Sequence, residues 1–68
     1  MNMIPVVSSD LSSVGYENGT LYIRFRSGGT YMYFYVPEDV YRGLMSASSH
    51  GRYFHAYIKN QYAYRRIA

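Results

Sequence analysis

Cysteine and tryptophan are absent from this chain of 68 residues, and acidic side chains number only four. The missing cysteines exclude a disulfide framework and any thiolate-bound metal, and they fit a reducing cytoplasm. No stretch approaches the ~20 consecutive apolar residues that a membrane-spanning helix needs. The start, Met1-Asn2-Met3-Ile4-Pro5-Val6-Val7, lacks the basic segment and long apolar run of a secretory signal. The expectation is a cytoplasmic protein without a membrane segment. Seven Lys and Arg outweigh the few acids, giving a net charge of +3 and a pI near 9.3, a mild bias toward anionic partners.

What the chain has in excess is tyrosine, at ten residues. Residues 1–68 make a single small domain, which buries only about 60% of the surface its unfolded chain exposes, so large rings must supply much of the packing. An apolar content of 49% argues for a packed globule over disorder. Three rings fall at alternate positions in Tyr31-Met32-Tyr33-Phe34-Tyr35, which in a strand lines them up on one face. Such a row serves either as the wall of a small core or as an exposed platform for bases or a protein partner.

Turn chemistry divides the first half. Ser8-Ser9-Asp10 separates a short apolar segment, Ile4 to Val7, which Pro5 confines to an edge position. Glu17-Asn18-Gly19-Thr20 then carries the Asn-Gly pair that a type I′ hairpin prefers, because both central residues need positive φ. That turn sets Tyr16 opposite Leu21, Val14 opposite Ile23 and Ser12 opposite Phe25, with Tyr22, Arg24 and Arg26 on the other face.

A second hairpin turns at Ser27-Gly28-Gly29, and its loop length decides where the tyrosine row points. A two-residue loop places Met32, Phe34 and Val36 on the apolar face and joins Tyr31, Tyr33 and Tyr35 to Tyr22, Arg24 and Arg26, with Arg24 opposite Tyr31 or Tyr33. A three-residue loop closed by Gly29 flips the parity and packs Tyr31 and Tyr33 beside Phe25 and Ile23. The first register has the cleaner apolar face.

After Val36 the periodicity turns helical. Pro37, Glu38 and Asp39 suit a helix start, and Val40, Leu44 and Ala47 recur at helical spacing, predicting a helix from about Pro37 to Ala47. Ser48-Ser49 offers an N-cap for a second helix over about His50 to Asn60, with Phe54, Ile58 and Tyr62 in one stripe flanked by Tyr53 and Tyr57. The remainder, Gln61 to Ala68, suits a last turn, a short strand or a frayed tail. The predicted fold is α+β: a three-stranded antiparallel meander followed by two short helices packed on one face.

Little here points to catalysis. His50 and His55 lie about 140° apart on a helix and cannot share a metal or a proton from one face, and no third ligand stands near them. Ser49 and His50 are sequence neighbours, which do not face each other on a helix, so Ser49 reads as a cap. Glu38 and Asp39 read as partners of the helix dipole, and Gly28-Gly29 as a turn. The expectation is no enzyme, no metal and no cofactor. Basic and aromatic residues are more suggestive, because rings stack bases and Arg or Lys heads neutralise phosphates. His50 and Arg52 in the first turn of the second helix oppose its dipole, a local cost that a bound anion would turn into a gain.

In order and spacing, Ser8-Ser9, Val14-Gly15-Tyr16, Leu21, Phe25, Gly28, Tyr31, Tyr33, Val36-Pro37, Val40-Tyr41, Leu44, Ser49, Gly51, Tyr53-Phe54, Ile58-Lys59 and Tyr62 resemble the KTSC domain. This short module stands alone in bacterial and phage proteins and occurs at the C-terminus of some lysyl-tRNA synthetases. The resemblance covers nearly the whole chain. His55 departs from it, since the family usually carries Asn there. The resemblance implies no catalytic residue and no cofactor, and the company of a tRNA synthetase suggests RNA. It fixes Tyr31 and Tyr33 but leaves Met32 and Phe34 free, as expected if the tyrosines pack inside, and so both registers stay open.

The functional expectation is a non-enzymatic module that binds RNA or single-stranded nucleic acid through Tyr22, Arg24, Arg26, Tyr31, Tyr33, Tyr35, Arg52, Lys59, Arg65 and Arg66. The rival reading is a protein-interaction or homodimerisation module that uses the tyrosine-rich surface.

Overall fold

Asn18 and Gly19 take φ of 53° and 80°, both left-handed, and between them they turn the first hairpin as the Asn-Gly pair predicts. In the computed structural model, which describes residues 2–68, this hairpin joins β2 (Leu11–Glu17) to β3 (Thr20–Phe25). Tyr16 opposes Leu21 and Val14 opposes Ile23, as expected. Farther along, the register slips at Ser12, and Leu11 rather than Ser12 faces Phe25. The extra residue resets the inward parity, so an apolar side chain and not a hydroxyl enters the core. Leu11 is fully buried in consequence.

The second hairpin settles the tyrosine row. β4 (Thr30–Tyr33) pairs with β3 so that Arg24 opposes Thr30, Ile23 opposes Tyr31 and Leu21 opposes Tyr33. Phe25 and Gly29 close the loop through an N–H to carbonyl bond of 3.1 Å, leaving Arg26, Ser27 and Gly28 as the turn. Gly28 holds φ of 106°, the left-handed position such a three-residue loop requires. The two-residue register is therefore overturned: Arg24 does not face Tyr31 or Tyr33, and those two rings point inward. The loop also begins one residue earlier than the three-residue alternative placed it, shifting each partner of the tyrosines by two. Tyr35 breaks the alternation with a left-handed φ of 58°, which lets both Tyr33 and Val36 enter the core while Phe34 does not.

Two short strands extend the expected three to a five-stranded antiparallel sheet in the order β1-β2-β3-β4-β5. β1 (Ile4–Pro5) lies on the β2 edge, where a residue without an N–H is tolerated, and β5 (Tyr64–Arg66) lies against β4. Between β4 and β5 come α1 (Glu38–Ser46) and α2 (His50–Tyr57). Pro37 caps α1 in an extended conformation, and the first-turn Glu38 bonds Arg42 at 2.8 Å. Ser49 caps α2 as predicted, its hydroxyl accepting from the Arg52 N–H at 3.2 Å. The helix is shorter than expected, since the chain leaves it through a turn in which Asn60 adopts φ of 64°.

Both helices cover one face of the sheet. Leu44, Phe54 and Ile58 from the helical half meet Leu11, Val14, Leu21, Ile23, Tyr33 and Val36 in one buried cluster. Rings brace it: Phe54 meets Phe25 and Tyr33 edge-on at 5.3 and 5.5 Å. No helix among the described residues is long and apolar enough to cross a membrane.

Candidate functional site

The face of the sheet that no helix covers carries a row of unlike side chains. Tyr22 pairs with Met32, and Met32 pairs with Arg65, so the three stand side by side across β3, β4 and β5. Their strand neighbours Leu21, Ile23 and Tyr33 are buried among the helices, and alternation therefore points this row the other way. Arg24 lies one pleat along the same face, between Ser13 and Thr30. Phe34, whose N–H donates to Ala63 at 2.9 Å, continues the Met32 side of the ladder.

Tyr22, Met32 and Phe34 are half-buried, yet none of them packs against the core cluster. They form a thin apolar cover on the open face, with Arg24 and Arg65 exposed beside it. Ser13 lies in the same face, 6% exposed, with a hydroxyl that has no hydrogen-bond partner among the described residues.

The ten residues named from the sequence thus fall into separate groups. Tyr22, Arg24 and Arg65 share the open face. Tyr31 and Tyr33 lie on the helix side, Tyr33 only 5% exposed, so Tyr33 offers no ring to a stacked base. Burial first, and then the neighbouring Tyr31 and Tyr64, push the Tyr33 phenol up to about 12. Arg66 lies over the Tyr31 ring at 5.9 Å and donates from Nε to the Ala68 carbonyl. Tyr35 is 91% exposed beyond the end of β4. Arg26 sits in the turn and donates to the Ser8 carbonyl, Arg52 opens α2, and Lys59 follows that helix.

Sequence reasoning missed Met32 and Phe34, which the two-residue register had placed inside. The sign that could have found them was their freedom in the sequence pattern between fixed tyrosines. Among the described residues Arg42 alone of the Lys and Arg side chains has a carboxylate partner. The six cations expected to meet phosphate are left without one.

His55 binds Asp10 through Nε2 at 2.8 Å, while His50 Nδ1 meets the Leu44 carbonyl at the end of α1. No group of three His, Cys, Asp or Glu among the described residues is placed to hold a metal ion.

Residues 7–62 match the KTSC domain. The chain belongs to the KTSC domain family. A KTSC domain protein from Yersinia pestis, known by crystallography, is 43% identical with a TM-score of 0.96, covering 98% of this chain and 97% of that one. A protein of Stutzerimonas stutzeri is 41% identical over 98% of this chain and 99% of its own length. A lysine–tRNA ligase of Nostoc sp. is 45% identical over 49 residues, which are 72% of this KTSC chain but only 9% of the ligase. The chain thus matches only a small part of the ligase.

Proposed function

We propose that this KTSC domain is a non-enzymatic module that binds RNA or another single-stranded nucleic acid on the open face of its sheet. The observation that carries the reading is the row Tyr22-Met32-Arg65 flanked by Arg24. Tyr22 and Phe34 supply stacking surface, Met32 fills the space between them, and Arg24 and Arg65 reach phosphates on either side. Six cations free of carboxylates and the net charge of +3 favour an anionic polymer. The presence of the same module in lysine–tRNA ligases accords with an RNA partner. A cytoplasmic location follows from that partner.

Titration of a fluorescently labelled single-stranded RNA at two salt concentrations tests the proposal. Affinity should fall with salt, and Arg24→Ala with Arg65→Ala should flatten the slope by about 2, one per lost phosphate contact. Tyr22→Ala should weaken binding by about 1–3 kcal/mol. Absence of binding at low salt, or binding indifferent to salt, sinks the idea. The rival, an interaction or homodimer module, draws on the exposed Tyr35 and Val7. A dimer in light scattering that Tyr35→Ala dissociates, with no RNA affinity, would favour it.

A further inference from the structure

A cleft of about 290 Å³ opens on the other side of the sheet, between the end of α2 and strands β4 and β5. Five rings line it: Phe25, Tyr31, Tyr33, Phe54 and Tyr64. Phe25 and Phe54 meet edge to face at 5.3 Å in its lining. Tyr31 and Tyr64 lie 5.9 Å apart at 47°; Tyr31 is half-buried and Tyr64 is 59% exposed. The aromatic surface is therefore not consumed by the core.

The rim is polar and its charges are unevenly spent. Asp10 is the one carboxylate there, and the imidazole of His55 already engages it at 2.8 Å. Lys59 stands at the same rim with no carboxylate partner among the described residues. The Tyr33 phenol, held neutral by burial, remains a hydrogen-bond donor through the physiological range.

We propose that this cleft binds a small planar aromatic anion of mononucleotide size, its ring against Tyr31 and Tyr64 and its anionic group at the Lys59 ammonium. The volume lies at the small end of ligand cavities, enough for one ring system and not for a polymer. The exposed Tyr64 ring, tilted against Tyr31, offers a flat π system an aromatic surface. A cage of rings also suits an alkylammonium ion. Here the free charge at the rim is a cation, and the only carboxylate is already paired, which selects an anion. The cleft is on the opposite side of the sheet from Tyr22, Arg24 and Arg65, so the proposal stands apart from the RNA reading.

Adenosine 5′-monophosphate, adenosine and inorganic phosphate are the probes, followed by amide chemical shifts of the ¹⁵N-labelled protein. The nucleotide should give saturable shifts at Tyr31, Lys59 and Tyr64, adenosine should bind about tenfold more weakly, and phosphate alone should leave these amides still. Lys59→Ala and Tyr64→Ala should each weaken the nucleotide about tenfold, with the rest of the spectrum confirming the fold. Tyr22→Ala, on the far face, should leave it unchanged. Equal shifts from inorganic phosphate, shifts confined to the open face, or a Lys59→Ala protein that binds the nucleotide as well as the parent would each overturn the assignment.

Discussion

The hydroxyl of Tyr16 donates to the carbonyl of Val36 at 2.5 Å, tying the end of β2 to the residue that precedes the α1 cap. The same ring lies flat on Tyr41 of α1, 4.6 Å between centroids at 8°. One side chain thus anchors the first helix by two unlike forces. Tyr16→Phe keeps the stack and removes the donor, leaving a carbonyl of the almost fully buried Val36 without this partner. The expected loss is about 1–3 kcal/mol. Thermal unfolding followed by circular dichroism should show a fall of about 4–8 °C for each kcal/mol. An unchanged midpoint would mean that the bond contributes nothing net.

Gly43 of α1 lies against the Tyr53 side chain of α2. A methyl group at that position would overlap the hydroxyl and ring of Tyr53. Alanine favours a helix over glycine by about 0.5–1 kcal/mol, yet the displaced ring costs about 1–3 kcal/mol, so Gly43→Ala should destabilise. Combining it with Tyr53→Ala should recover part of the loss, and a double-mutant cycle measures the coupling. Additive effects would show that the ring moves aside freely.

Alkaline pH should unfold this protein through its tyrosines. Tyr16, Tyr33 and Tyr53 all have phenols raised above 10, first by burial and then by neighbouring carboxylates or phenols. For Tyr33 the folded value is about 12 against 10 for an ordinary phenol. Since the folded value is the higher one, its contribution is complete below pH 10 and is lost as pH rises from 10 through 12. Phenolate absorbance combined with denaturant unfolding should show stability falling across that window. Tyr33→Phe should flatten the fall, and parallel losses in both proteins would refute the assignment to Tyr33.

Much of the fold could be read before it was seen, where a residue type and a backbone need coincide. Asn18-Gly19 announced its turn because two adjacent left-handed residues are rare without them, and Ser49 announced α2 because a side-chain oxygen answers the open N–H groups of a helix start. The tyrosine row could not be read in the same way. Gly28-Gly29 tolerates several loop lengths, and one residue of slip exchanges the two faces. The bulge at Ser12 carries no Gly or Pro to mark it. β1 and β5 span two and three residues, too few for any periodicity. At the candidate site Arg24, Tyr22 and Arg65 were legible by type, whereas Met32 and Phe34 depended wholly on the register.

The pairing of Tyr31 with Arg66 has a kinetic side as well. The two hairpins before it are local, and such hairpins close in about 1–10 μs. The β4–β5 ladder closes a segment holding both helices, a contact of much longer range that must overcome a larger loop entropy. Until it forms, the edge of β4 and the rings of Tyr31 and Tyr33 are open to other chains. Docking of the last strand is therefore expected to limit the folding rate, and this protein's exposure to aggregation should last as long as that step.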